Sequence, residues 1–319
     1  MLGIDISKMN LVYASLLLTT SNHGKPTTYL DSKLLNQSNE SIFRYDVMDH
    51  SLGHMIDFMI SLRHVAKYND DVIIFFYGGP IPSKIRNLAK KLDIQIKYIE
   101  RTFAFQDYKE LMYWRHVDAL NYIQSNIKYD NIFAYDLDVW FDDLFNHKTP
   151  DNGCIFSGTL NPPMWLGHPI DENEIESFYN KVNLMFKKIY TKGIMGCYFG
   201  ANRDNFIKKI NQYQECIQVG LAPIVWGVDQ FLFNYLFDFN FDVIDNSRVF
   251  DLSSSFCKYE NDSFYTQIVP PYDMNFHKVS AYHFGACFKS HIKIFCLDVS
   301  EENLKFRNKH PDLYENHYP

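Results

Sequence analysis

Three features of this 319-residue sequence predict an α/β fold, a Rossmann-like and mostly parallel sheet with flanking helices. Short apolar runs closed by turn residues recur through the first half, as buried strands of a parallel sheet do. Segments with apolar residues at helical spacing lie between them. The two kinds alternate, strand then helix, which places successive strands in one sheet.

Residues 11–20, Leu-Val-Tyr-Ala-Ser-Leu-Leu-Leu-Thr-Thr, read as the first buried strand. The polar stretch 21–41, with Gly24 and Pro26, reads as a loop. A helix over 51–66 puts Leu52, Met55, Ile56, Met59 and Ile60 on one face. Val72 to Tyr77 is a continuous apolar run stopped by Gly78-Gly79-Pro80, hence a central strand. Ser83 can cap the next helix, which buries Ile85, Leu88 and Leu92. Ile94, Ile96 and Tyr98 alternate with polar residues, the pattern of a strand nearer an edge. A helix over 107–127 turns Tyr113, Val117, Leu120 and Ile127 inward, and Asn131 to Tyr135 begins a new strand.

The second half is less regular. A strand is expected over 154–160, and a helix over 174–190 with Phe178, Val182, Met185 and Ile189 inward. Asp204 is expected to cap a helix carrying Phe206, Ile207, Ile210 and Tyr213. A helix over 228–237 and a short strand over 241–244 follow. No internal repeat or low-complexity linker interrupts the chain, so the change near residue 145 is one of role within a single domain.

Composition excludes several function classes. A hydrophobic fraction of 46%, with 27 Phe and 22 Tyr, supplies a large core and argues against a disordered scaffold. The net charge of −7 disfavours general nucleic-acid binding, which rests on neutralising phosphates. The six cysteines form no C-x-x-C pair and match no zinc spacing, so they read as free thiols. The apolar run from Leu11 to Leu18 is too short to span a bilayer, and no secretory signal precedes it. A cytoplasmic location is therefore expected, with peripheral attachment to a membrane left open. The sequons at Asn36, Asn39 and Asn261 then read as accidental. Neither G-x-G-x-x-G after the first strand nor G-x-x-x-x-G-K-[ST] occurs, which disfavours dinucleotide oxidoreductases and P-loop enzymes.

The chemistry concentrates at Tyr135-Asp136-Leu137-Asp138-Val139-Trp140. Ligands of open α/β sheets bind beyond the carboxyl ends of the strands, where this segment falls. In an extended segment residues i and i+2 share a side, so Asp136 and Asp138 would face each other. Two such carboxylates repel unless a cation lies between them. A divalent ion with oxygen ligands supplies that cation and can hold a diphosphate at the same time. Aspartates at a strand end are also ordinary caps. Their flanking by a buried strand and by Tyr135, Val139 and Trp140 favours the metal reading.

The segment Asn131-Ile-Phe-Ala-Tyr-Asp-Leu-Asp-Val-Trp-Phe resembles the D-x-D strand of GT-A glycosyltransferases. A second segment, Tyr282-His283-Phe284-Gly285-Ala286-Cys287-Phe288-Lys289, is similar to the His-Phe-x-Gly-x-x-Lys motif of the glycogenin and lipopolysaccharide galactosyltransferase family, with one residue fewer between His and Gly. The resemblance implies a GT-A fold with Mn2+ or Mg2+ held by Asp136, Asp138 and His283. His291 competes for the third place. It further implies Lys289 on the diphosphate, and Tyr13, Thr19, Arg115 and Asp136 around the nucleotide. Residues 1–145 would form the nucleotide-sugar half. Residues 146–319 would form the acceptor half, closed over the metal by the His-Phe-Gly segment.

In the acceptor half, Met195-Gly-Cys-Tyr-Phe-Gly-Ala-Asn202 and Trp226-Gly-Val-Asp-Gln230 resemble the paired segments of blood-group type transferases. The resemblance implies catalytic roles for Asp229 and Gln230 beside the transferred sugar, and acceptor contacts from Trp226, Trp165 and His168. A carboxylate at a helix start is also a common cap. The expected activity is metal-dependent transfer of a hexosyl group from a UDP-sugar or related donor to a glycan or other hydroxyl acceptor, with retention. If Asp229 acted as general base, inversion would follow. The alternatives are a sugar nucleotidyltransferase, against which the absence of a Gly-rich basic loop after the first strand speaks, and a non-catalytic carbohydrate-binding protein.

Overall fold

The computed structural model describes residues 9–18, 54–78, 81, 83–100, 108–141, 148–159, 193–221, 228–245, 247–251, 257–260, 263–266 and 280–283. Within these, strand β1 (Asn10–Leu18) leads toward helix α1 at 54–60, which continues as a π-helical turn over Ser61–Val65. Strand β2 (Asp71–Gly78), helix α2 (Ser83–Lys91), strand β3 (Gln95–Tyr98), helix α3 (Tyr108–Gln124) and strand β4 (Asn131–Tyr135) follow. Then come β5 (Val139–Phe141), β6 (Cys154–Thr159), β7 (Gly193–Asn202), α4 (Arg203–Gln218) and α5 (Val228–Leu236). Short strands end the series: β8 (Val243–Ile244), β9 (Phe250–Asp251), β10 (Cys257–Glu260), β11 (Ser263–Thr266) and β12 (Ala281–His283).

Seven strands form the main sheet in the order β3-β2-β1-β4-β7-β6-β8. The first four are parallel. Strand β7 then runs antiparallel to both β4 and β6, and β8 pairs parallel with β6. The sheet is thus α/β and mixed, with its parallel part built from the first half of the chain. The apolar runs of β1 and β2 are continuous because both faces are covered. Leu11, Tyr13, Ile73, Phe75 and Tyr77 join one core with α3, α4 and α5. Val12, Ala14, Leu16, Ile74 and Phe76 join the other with α1 and α2. Alternate residues of a strand point to opposite faces, so a doubly covered strand has no polar side to display. Strand β3 lies at the sheet edge, as its alternation predicts, but Tyr98 at its end is 48% exposed and does not follow the apolar side of that pattern.

Some expectations change. The helix over 51–66 is α-helical only to residue 60 among the described residues, then widens, with the Ala66 amide donating to the Ser61 carbonyl at 2.9 Å. Helix α3 stops at Gln124, so Ile127 falls past its end and is 86% exposed; Ile123 is the buried residue instead. Helix α4 is capped by Asn202, whose side chain accepts from the Asn205 amide at 2.9 Å; Asp204 lies in the first turn. Phe241 stands in a turn, leaving only Val243–Ile244 as strand. The helix expected over 174–190 and the loop over 21–41 lie outside the described residues.

Candidate active site at a carboxylate and histidine cluster

Strand β4 ends at Tyr135, and its pairing with β7 continues one step further, the Asp136 amide donating to the Cys197 carbonyl at 3.0 Å. The chain then turns through Leu137 and Asp138 and returns as β5. The two carboxylates therefore converge across a turn, not along an extended segment. The return strand does the rest. Strand β5 pairs antiparallel with β12, setting Val139 against His283 and Trp140 against Tyr282. A histidine opposite the residue after Asp138 must lie beside that carboxylate. His283 Nε2 is 3.3 Å from Asp138 Oδ1 and 3.8 Å from Asp136 Oδ2. One ligand atom from each of the three lies within 4.8 Å of the others.

Arg115 enters from α3 and joins this cluster to the start of α5. Its guanidinium donates to Asp136 Oδ1 and Asp229 Oδ2, and to the Gly196 carbonyl at 3.0 Å. Burial disfavours its charge, but Asp136 and Asp229 outweigh that and raise its pKa, so it is fixed as a cation. Burial likewise works against the ionised form of Asp229, yet Arg115 and then His116 bring its pKa below the ordinary value. For Asp136, burial raises the pKa, with Arg115 opposing and Asp138 adding to the rise. The protein thus holds Asp136 and Asp229 on one fixed cation, with Asp138 beside Asp136 at the same end of the sheet.

That sum tests whether a metal ion fits. Three carboxylates and one guanidinium carry a formal charge of −2, which one divalent cation neutralises. Asp136 gives Oδ1 to Arg115 and keeps Oδ2 toward His283. Two carboxylate oxygens and an imidazole nitrogen suit Mn2+ or Mg2+ with further oxygen ligands from a diphosphate or water. The residues fit the ion.

The α5 start is held in place by β7. Between Phe156 and Ser157 of β6 the pairing jumps from Phe199 to Met195, so Gly196 to Tyr198 form a bulge. Side chains take up the freed groups at Gly196: Gln230 Oε1 accepts its amide at 3.1 Å, and Arg115 takes its carbonyl. Asn234, one turn further on, both donates to and accepts from the Ile194 backbone, at 3.0 and 2.8 Å. Glycine gives a close fit at 196, where a Cβ would sit 3.3 Å from Gln230 Cβ and 3.5 Å from Asp229 Oδ1. Bulges of this kind re-aim backbone at sites.

Of the residues singled out in the sequence, Arg115, Asp136, Asp138, Asp229, Gln230 and His283 come together here. Tyr13 lies inside the α3 face of the sheet, 1% exposed, with its hydroxyl 2.7 Å from His116 Nδ1. Thr19, Trp165, His168, Trp226, Lys289 and His291 lie outside the described residues. Sequence reasoning gave no individual role to His116 or to Gly196, the latter read only as part of a small-residue segment. A buried helix segment, Leu111 to Leu120, that lacks a polar face was the available signal for His116.

No family model matches the chain, and no curated protein does. Among solved structures it is similar to WbbM, titled a bifunctional glycosyltransferase in its apo structure. The TM-score is 0.51 at 11% identity, over 97% of this chain and 51% of WbbM. The chain therefore spans about half the length of that protein. At such identity the likeness speaks to fold alone, and with the mixed seven-stranded sheet it makes this a GT-A-like α/β fold.

Proposed function

We propose that this chain is a metal-dependent glycosyltransferase that moves a hexosyl group from a nucleotide diphosphate-sugar, a UDP-sugar in the first instance, to a hydroxyl of a glycan. The observation that carries the reading is the Asp136–Asp138–His283 cluster at the carboxyl end of the parallel strands. Its fold is shared with a protein titled a glycosyltransferase. Among the described residues no helix is long and apolar enough to cross a membrane.

Bound at Asp136, Asp138 and His283, Mn2+ or Mg2+ supplies a Lewis acid for the charge that builds on a departing diphosphate. The chain's own groups do the remaining work. Arg115 keeps Asp136 and Asp229 apart in a fixed frame, so neither carboxylate must reorganise when a donor enters. Asp229, kept ionised, faces the position of a sugar whose anomeric carbon gains positive charge, and its negative charge stabilises that centre. Gln230 accepts the Gly196 amide through its side-chain oxygen, and under this proposal it stands beside the transferred sugar. The Asp229 and His-Phe-Gly resemblances favour retention; Asp229 acting as general base on the acceptor would give inversion. Trp226, Trp165 and His168 remain the acceptor contacts under this proposal, with Thr19 and Lys289 at the nucleotide.

A panel of nucleotide sugars tests it. With Mn2+ present, one donor should be hydrolysed slowly without acceptor, and chelation should stop that hydrolysis. The anomer of the released or transferred sugar decides between retention and inversion. Failure of every donor both to bind and to be hydrolysed would overturn the proposal. Binding without hydrolysis would mark a carbohydrate-binding protein, and pyrophosphate release from a nucleoside triphosphate and a sugar phosphate would mark a nucleotidyltransferase.

A further inference from the structure

His116 lies beneath the site and has no part in the chemistry above. It is 1% exposed and ringed by aromatic side chains, with Phe233, Tyr213, Tyr13 and Phe199 at centroid distances of 5.0, 5.8, 6.1 and 6.3 Å. The charged and titratable groups that face it are Tyr13, Tyr213, Arg115 and Asp229. Its two ring nitrogens have different neighbours. Nδ1 lies 2.7 Å from the Tyr13 hydroxyl. Nε2 is buried without a hydrogen-bond partner and lies 3.7 Å from Asp229 Oδ2.

We propose that Tyr13 and His116 are positioning residues for Asp229: Tyr13 donates to Nδ1, which fixes His116 as the Nε2–H tautomer and aims that N–H at the Asp229 carboxylate. The inference rests on the place of Asp229 in the proposed site. The proton assignment follows by elimination. An ionised carboxylate only accepts hydrogen bonds. Were the proton on Nδ1, the Nε2 lone pair would face a carboxylate in a buried setting, and the Tyr13 hydrogen would lose its partner. The reverse arrangement satisfies the Tyr13 donor and turns a donor toward Asp229.

At 3.7 Å the Nε2–H stands just outside hydrogen-bond length. Asp229 Oδ2 thus has Arg115 as its bonded partner and His116 as an adjacent donor. The His116 N–H restricts the carboxylate to the side where Arg115 and the Gln230 amide already hold it, the latter at 2.8 Å from Oδ1. The side chain acts through Asp229 and touches neither donor nor metal.

Nitrogen-15 spectra of histidine-labelled protein, without metal or donor, test the inference alone. His116 should be in the neutral Nε2–H tautomer in the wild type, and Tyr13→Phe should shift it toward a mixture. A wild-type Nδ1–H tautomer overturns the proposal, and this outcome stands even if Tyr13→Phe fails to fold. A pair of substitutions tests the positioning role with Mn2+ as the probe, read by its electron paramagnetic signal. The amide of His116→Gln reaches the place of Nε2 and that of His116→Asn only the place of Nδ1. Asp229 shares Arg115 with the ligand Asp136, so a displaced Asp229 loosens that ligand, and the Asn variant should lose about tenfold more Mn2+ affinity than the Gln variant. Equal losses would leave His116 a packing residue and overturn the proposal. A wild type that binds no Mn2+ would sink the glycosyltransferase reading, with the tautomer still deciding this one.

Discussion

Two buried charged clusters differ in whether their charges close. Lys209 of α4 donates to Asp242 Oδ2 at 2.5 Å and to the Leu236 carbonyl at 2.8 Å. Asp242 also accepts the amides of Cys154 and Asp238, each at 2.8 Å. One cation meets one anion, and both carboxylate oxygens are used. In the Arg115 cluster one cation serves Asp136 and Asp229, with Asp138 close behind. The first arrangement fastens α4 to the turn before β8. The second leaves a surplus of negative charge at the ends of the strands, and a surplus of that kind is a place for a cation.

The contrast can be broken from the structural side first. Lys209→Ala leaves Asp242 buried beside no cation, and stability should fall by about 3–5 kcal/mol. Denaturant midpoints measure it. A fall under 1 kcal/mol would mean that the closed pair matters no more than a surface one. Asp138→Ala should cost less, since it removes one of several like charges.

His116 gives the next largest effect. Burial lowers its pKa to about 4, with Asp229 opposing and Arg115 adding to the fall. The unfolded chain takes up this proton near pH ~6.5. Between those values the unfolded state binds more protons, so stability is whole above about pH 6.5 and declines as pH drops toward 4. The full decline from this one group is roughly 3 kcal/mol. Comparing the wild type with His116→Gln across that window isolates it, and identical pH profiles would contradict a neutral buried imidazole.

Two glycines of β7 sharpen the comparison at smaller amplitude. A Cβ at Gly200 would come within 2.8 Å of both Phe133 Cδ1 and Tyr198 Oη, so Gly200→Ala should cost about 1–3 kcal/mol. At Gly196 the contacts are looser, and Gly196→Ala should cost under about 1 kcal/mol. Its effect should fall on the site instead, through displaced Gln230 and Asp229, and appear as weaker donor binding. Thermal melts and donor titrations of the two variants separate the cases.

What could be read in the sequence follows from burial. Strands β1, β2 and β4 are doubly covered, so their apolar runs announced them, and the edge position of β3 showed in its alternation. Strand β7 was read only as a small-residue segment. Gly196 and Gly200 break any strand pattern, and its antiparallel course between β4 and β6 is set by pairing partners far along the chain. Asp136 and Asp138 were legible because carboxylates after an apolar run are unusual. The reason they converge was not, since it lies in a turn and in the β5–β12 register. Arg115 was read as facing a nucleotide. Its bond to Asp229, 114 residues away, could not be foreseen from helix spacing.

The central claim is that Asp136, Asp138 and His283 hold a divalent cation, and Mn2+-dependent thermal stabilisation tests it most directly. A ligand at a hundred times its Kd stabilises the folded state by about 2.7 kcal/mol. The wild type should therefore melt at a clearly higher temperature with saturating Mn2+, while Asp138→Ala should melt at the same temperature with and without it. An equal rise in both proteins would place the ion elsewhere and contradict the account.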